Sequence, residues 1–136
     1  MRLIDAYSVL DAPAILYRLL AEREPHVNIS HRQMPSPAEH MEFFCARPYE
    51  RWALIQVDGQ YIGAAYLTKQ REIGIFIFRD HQRKGYGTRA IVLLMELWAG
   101  RLLANIAPTN PASVAFFEKL GFRELQITYV LDQSGL

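Results

Sequence analysis

The chain has 136 residues and a formal net charge of +1, with 51% of its residues apolar and 21% charged. That length suits a single domain, 1–136, with one core, and the composition is that of a folded globular protein, not a disordered or low-complexity one. A charge balance so near zero argues against broad binding to nucleic acid, which needs many Lys and Arg contacts to phosphate.

The start, Met1-Arg2-Leu3-Ile4-Asp5, lacks the apolar stretch of a secretory signal, and no apolar run is long enough to cross a bilayer. Cys45 is the single cysteine, so an intrachain disulfide is excluded and a reducing compartment, the cytoplasm, is expected.

In chain order, Arg2 to Tyr7 alternates like a short strand, and Ser8 with Asp11 has the spacing of a capping box ahead of a helix over Ala12 to Ala21. Glu22 to Pro35 has no clear period and reads as a loop. Ser36, Pro37 and Glu39 then supply an N-cap, an N1 proline and an N3 acid for a second helix reaching about Ala46. Trp52 to Val57, the turn Asp58-Gly59, and Tyr61 to Leu67 predict a β-hairpin, and Glu72 to Phe78 predicts a third strand of a meander. A glycine loop follows. Thr88 to Trp98 has the spacing of an amphipathic helix, Leu102 to Ile106 reads as a strand, Pro111 to Leu120 as a helix ended at Gly121, and Arg123 to Leu131 as a last strand.

The loop Gln82-Arg83-Lys84-Gly85-Tyr86-Gly87-Thr88 carries the chemistry. Glycines at 85 and 87 let backbone amides approach an anion, and the helix beginning at Thr88 points its positive dipole end to the same place. Arg83 and Lys84 add cations and Thr88 a hydroxyl, a set suited to a diphosphate. A glycine pair between strand and helix serves a plain tight connection equally well. The Walker loop needs Gly-Lys-Ser or Gly-Lys-Thr, and the dinucleotide fingerprint needs a third glycine where Ala90 stands, so both lose ground.

Gln82-Arg83-Lys84-Gly85-Tyr86-Gly87 resembles the pyrophosphate loop of the GNAT superfamily of acyl-CoA-dependent N-acetyltransferases: Gln or Arg, two residues, Gly, one residue, then Gly or Ala. A second block, Asn110-Pro111-Ala112-Ser113 running on to Leu120-Gly121-Phe122, is similar to the family's Asn-x-x-Ser helix closing on Leu-Gly-Phe. The resemblance is good over Arg51 to Leu131 and only in outline before that. It implies an α/β (α+β) fold with a mixed, mostly antiparallel sheet of six or so strands, about four helices, and a splayed parallel pair of strands at the coenzyme A site.

The resemblance also implies roles. Acetyl-CoA is the cosubstrate, with no metal; Ile75, Phe76 and Ile77 offer backbone to the pantetheine arm, the loop from Gln82 to Thr88 holds the diphosphate, and Asn110, Ser113 and Lys119 help to seat the rest. Glu72 matches the strand position of the usual base. The usual acid, a Tyr four residues before the Gly of Leu-Gly-Phe, is replaced by Phe117, so either another group acts, with Tyr129 and Tyr86 as the candidates, or the thiolate leaves unaided. The acceptor, a primary amine on a small molecule, an amino sugar or a protein N-terminus, is expected among the first helices and their loop, where His26, Asn28, His31, Arg32, Glu39, His40, Glu42, Tyr49 and Trp52 lie. His31, Glu39, Tyr49 and Trp52 are the candidate contacts; His40 is expected at the surface. Five residues after Leu131 leave room for one strand where the family commonly has two, so either the sheet is shorter or a homodimer partner completes its edge. The rival reading is a non-catalytic acyl-CoA-binding or sensing module.

Overall fold

Asp58 and Gly59, at φ 50° and 78°, make the tight turn that their sequence predicts, both in the left-handed region that a two-residue hairpin of this kind requires. The computed structural model describes residues 1–27 and 34–133, with the backbone alone over 23–27. It divides into two compact units, Met1–Ala104 and Asn105–Leu136.

In the first unit, β1 (Arg2–Asp5), β2 (Arg51–Val57), β3 (Gln60–Leu67) and β4 (Ile73–Ile77) form one sheet in the order β1-β2-β3-β4, every neighbouring pair antiparallel. Helices α1 (Ala12–Val27) and α2 (Pro37–Cys45) cover one face, and α3 (Tyr86–Leu97) covers the other. Alternation along β2 divides the two cores: Trp52 and Leu54 pack with Ile15, Leu16, Leu19 and Phe44, whereas Ala53 and Ile55 pack with Ala90, Leu94 and Trp98. The ladder shifts between Ile55 and Gln56, so that Ile55 faces Gly63 and Gln56 faces Tyr61. This bulge reverses the phase of β3, sending Ile62 to the α3 core and Ala64 and Tyr66 to the α1–α2 side.

Helix starts follow their predicted chemistry at α2, where Ser36 Oγ accepts from Glu39 N at 3.1 Å and Glu39 Oε1 accepts from Ser36 N at 2.8 Å. The predicted box at Ser8 and Asp11 does not form. Asp5 instead accepts from Tyr7 N and opens a 3-10 turn over Ala6–Ser8, and the Ser8 hydroxyl donates back to Asp5 O at 2.7 Å. The first helix also outruns its predicted end at Ala21, continuing to Val27 through Pro25.

Six or so strands are expected, and among the described residues four form one sheet. Leu103 makes a single parallel bridge with Glu72, its carbonyl accepting from Ile73 N at 2.9 Å and its N–H donating to Arg71 O at 2.8 Å, in place of the strand predicted over 102–106. Pro108 has no N–H for a ladder, and the chain turns there with Asn110 N donating to Ala107 O at 3.0 Å. Within the second unit, α4 (Pro111–Lys119) forms as predicted, but Arg123 to Leu131 is not a strand. Its alternating Leu125, Ile127, Tyr129 and Leu131 are exposed, because a β pattern is only realised where another strand accepts its hydrogen bonds.

Gly63 leaves no room for a side chain between β3 and β4. A Cβ there would fall on Phe76 O and only 3.0 Å from Ile77 Cα, both backbone atoms that have no side-chain freedom to move away. Gly63→Ala should therefore destabilise the fold by about 1–3 kcal/mol in urea unfolding, as overpacking does.

Candidate active site

The β4 strand has two unlike sides. Thr68 N donates to Glu72 O and Phe78 N to Ile62 O, both at 2.8 Å, so the even-numbered residues of β4 exchange backbone bonds with β3. The odd-numbered ones point their backbone groups away from β3. Ile73 N is taken by Leu103, but among the described residues the N–H groups of Ile75 and Ile77 make no backbone hydrogen bond on that outer side. A sheet edge of this kind can take an extended ligand as an extra strand.

Just beyond β4, Phe78 leads into a 3-10 turn over Arg79–His81, fastened to α1 by Glu22 Oε1, which accepts from Arg79 N at 2.8 Å. Gln82 then reaches back, its Nε2 donating to Ile77 O at 2.9 Å. The loop start is thereby fixed to the outer side of β4. Arg83 and Gly85 sit at φ 62° and 78°, and left-handed residues spaced in this way turn successive amides to one side.

Gly85 is the N-cap of α3, which therefore begins two residues earlier than predicted, at Tyr86. No side chain caps this end and no acid lies in its first turn. The first intrahelical bond runs from Arg89 N to Gly85 O at 3.1 Å, so the amides of Tyr86, Gly87 and Thr88 precede the ladder. A Cβ at Gly85 or Gly87 would meet no atom within 4 Å, so space is open in front of both. Arg83, Lys84 and Thr88 are exposed around it. An anion fits this end: uncapped amides, dipole, flanking cations and open space all favour negative charge there.

The even-numbered face of β4 looks toward α1 and α2. Phe76 packs into that core, and the phenol end of Tyr66 lies over Gly74, where a Cβ would fall 2.6 Å from Tyr66 Oη. Tyr66 stacks on Tyr49 with ring centroids 4.3 Å apart and planes at 13°, Tyr49 meets Trp52 at 4.7 Å, and Phe43 approaches both. Tyr49 and Trp52, predicted separately as acceptor contacts, are thus brought together. Glu72 is half-buried at the start of this strand, its N–H donating to Thr68 Oγ1 at 2.9 Å, and alternation puts it on the face of Gly74 and Phe76 as expected.

Other predicted residues are placed differently. Glu39 is committed to its capping box, whose backbone hydrogen bond holds its carboxyl below the ordinary range. His26, Asn28, His31 and Arg32 fall outside the residues whose side chains are described. Among the described residues no three His, Cys, Asp or Glu side chains group as a metal site. In the second unit Asn110 caps α4, its side chain accepting from Ser113 N at 3.2 Å, while Lys119 is exposed in the last turn. Phe117 meets Phe116 at 5.2 Å and Phe122 at 5.1 Å. Tyr129 is 88% exposed.

The model of the family described as Acetyltransferase (GNAT) domain matches residues 2–123. The chain belongs to the GNAT acetyltransferases. Solved structures similar to this GNAT chain include the ribosomal-protein-alanine N-acetyltransferase of Brucella melitensis, at 18% identity and TM-score 0.72 over 93% of this chain and 86% of that one. A chimera of the Vibrio cholerae spermidine N-acetyltransferase SpeG with hSSAT gives 18% and 0.71 over 93% and 84%. The putative acetyltransferase yncA of Salmonella typhimurium, solved with acetyl-CoA, gives 21% and 0.66 over 89% and 77%. No curated protein sequence matches. The GNAT assignment agrees with the mixed fold read from the sequence, with a smaller sheet than expected.

Two features of this GNAT site escaped the sequence. Arg71, at φ 71°, donates from Nε to Arg101 O at 2.8 Å, from Nη2 to Ala99 O at 2.6 Å and from Nη1 to Glu50 Oε2 at 3.1 Å, which seats the chain after α3 so that Leu103 reaches Ile73. Nothing in local spacing marks an arginine that acts across 28 residues. Tyr66 over Gly74 had a signal: a lone glycine inside a strand of β-branched and aromatic residues marks a close approach.

His40 corrects the expectation of a surface histidine. It is 6% exposed, set edge-on to Tyr17 at 5.4 Å, and its Nε2 has no hydrogen-bond partner among the described residues. Burial pushes its pKa below the ordinary 6.5, opposed by a backbone hydrogen bond with Pro13. The unfolded chain then binds a proton that the folded chain refuses, so stability is full above pH 6.5 and is lost as pH falls below it. In urea unfolding, His40→Leu should flatten that part of the stability–pH curve. An unchanged acid slope would count against a neutral buried His40.

Proposed function

We propose that this GNAT acetyltransferase moves the acetyl group of acetyl-CoA directly to the nitrogen of a primary amine, on a small molecule, an amino sugar or a protein N-terminus. The observation that carries the reading is the join of two binding surfaces by Gln82: the outward backbone of Ile75 and Ile77 runs into the uncapped, glycine-lined start of α3. An extended amide-bearing arm on the first and a diphosphate on the second describe coenzyme A. The spermidine and ribosomal-protein-alanine enzymes are both N-acetyltransferases, which supports a nitrogen acceptor.

Acetyl-CoA supplies an activated thioester. Gly85, Tyr86, Gly87 and Thr88 hold the diphosphate with backbone amides, and Gln82, Arg83 and Lys84 flank it. The N–H groups of Ile75 and Ile77 offer donors to an amide carbonyl or a developing oxyanion. Glu72 takes the proton that an amine must lose, from a half-buried position on the acceptor face. Tyr49 and Trp52 form the wall against which the acceptor lies.

Phe117, which has no proton to give, favours a second reading as an acyl-CoA-binding module without turnover. Calorimetry with acetyl-CoA and thiol release with a panel of amines divide the two: binding with turnover supports the enzyme, binding alone supports the module, and no binding defeats both. Gly87→Leu should cut acetyl-CoA affinity more than about tenfold by filling the space before the amides, without lowering thermal stability, since leucine is the better helix former by about 0.8 kcal/mol. Glu72→Gln should lower kcat about 10²-fold with acetyl-CoA binding retained, and unchanged turnover would remove Glu72 from the mechanism.

A further inference from the structure

The tyrosine hydroxyls of the first unit are not equivalent. Tyr7 donates to Phe44 O at 2.7 Å and Tyr17 to Pro35 O at 2.6 Å, so both are committed to holding the α1–α2 side together. Tyr86 packs on the opposite face of the sheet, with the α3 core. Tyr66 differs from all three. It is half-buried, its hydroxyl has no hydrogen bond among the described residues, and its phenol end is brought against the backbone of β4.

That approach exists because residue 74 is glycine. Tyr66 and Gly74 are directly opposed across the β3–β4 ladder, and any side chain at 74 would displace the ring. Covering a strand glycine with an aromatic ring is a packing device that phenylalanine performs as well. The hydroxyl is the part that packing leaves unexplained. It lies on the face that Glu72 shares, one residue from the outward N–H of Ile75, and the Tyr49 stack holds the ring in place.

We propose that Tyr66 is the proton donor of this enzyme, supplying from β3 what Phe117 cannot supply from α4. This rests on the acetyltransferase reading above. As the acceptor nitrogen bonds to the acetyl carbon, the carbon–sulfur bond breaks with its electron pair on sulfur, and Tyr66 Oη gives its proton to that sulfur. The proton shed by the nitrogen passes to Glu72 and on to solvent, and solvent reprotonates the phenolate. Products are the acetylated amine and a neutral thiol, with no proton left over. Tyr129, 88% exposed with no hydrogen bond or ring contact among the described residues to orient it, has no such setting.

Tyr66→Phe tests the hydroxyl while keeping the ring over Gly74. Expected are an unchanged thermal midpoint, unchanged acetyl-CoA affinity, a fall in kcat of about 10²-fold or more, and loss of the alkaline limb of the pH–rate profile. A readout without turnover is the affinity for free coenzyme A by calorimetry from neutral to alkaline pH. A donor at sulfur makes that affinity pH-dependent in the wild type, and Tyr66→Phe should flatten it. Full turnover in Tyr66→Phe, or identical pH dependence of coenzyme A binding, overturns the proposal and leaves the acetyltransferase reading standing. Absence of acetyl-CoA binding by the wild type overturns both.

Discussion

One-sided pairing of β4 is the constraint from which the candidate site follows. A strand residue turns its N–H and C=O to one side, and its neighbours turn theirs to the other. Here the even positions are bound to β3, and Leu103 takes only Ile73 on the far side. The outward N–H groups of Ile75 and Ile77 cannot bond within the strand, and among the described residues they make no backbone bond, so they form an open edge. Its length is set by where Leu103 stops, and Arg71 decides that by gripping the carbonyls of Ala99 and Arg101. Truncating this arginine would release the segment that ends the pairing, with no residue of the glycine loop touched.

Two glycines shape what surrounds that edge. Gly63 lets β4 draw close to β3, and Gly74 lets the Tyr66 ring settle on the strand. Both act by lacking a side chain, a different use of glycine from that at Gly85, whose left-handed backbone turns the chain into α3. Aromatic stacking then extends from Tyr66 through Tyr49 to Trp52, so of the four predicted acceptor contacts it is the two aromatic ones that the fold brings together. Glu39 and His40, the polar groups nearest to hand in α2, are engaged in capping the helix and in packing against α1.

Much of this was legible in the chain itself. Alternation over 52–57 and 61–67, the Asp58-Gly59 turn, the box at Ser36 and Glu39, and the glycines at 85 and 87 are signals that act within a few residues, and each produced the element or turn it predicts. Such signals need no distant partner, because local dihedral preference and nearby hydrogen bonds decide them. The segments 102–106 and 123–131 read as strands, the second with clear alternation, and neither became one. A strand exists only when another strand takes its hydrogen bonds, and alternation does not say whether one is there.

The sequence by itself therefore determined the hairpin, the caps at Ser36 and Asn110, the anion-suited loop and, through that loop with the Asn110 block, the GNAT family. Tertiary structure decided how many strands the sheet has, that His40 is buried, that Arg71 sets the end of the β4 edge, and that the tyrosine against that strand is Tyr66. The physical reason is range. Caps and turns are settled among neighbours, whereas burial, strand pairing and the approach of a ring to a glycine depend on residues that only folding brings together.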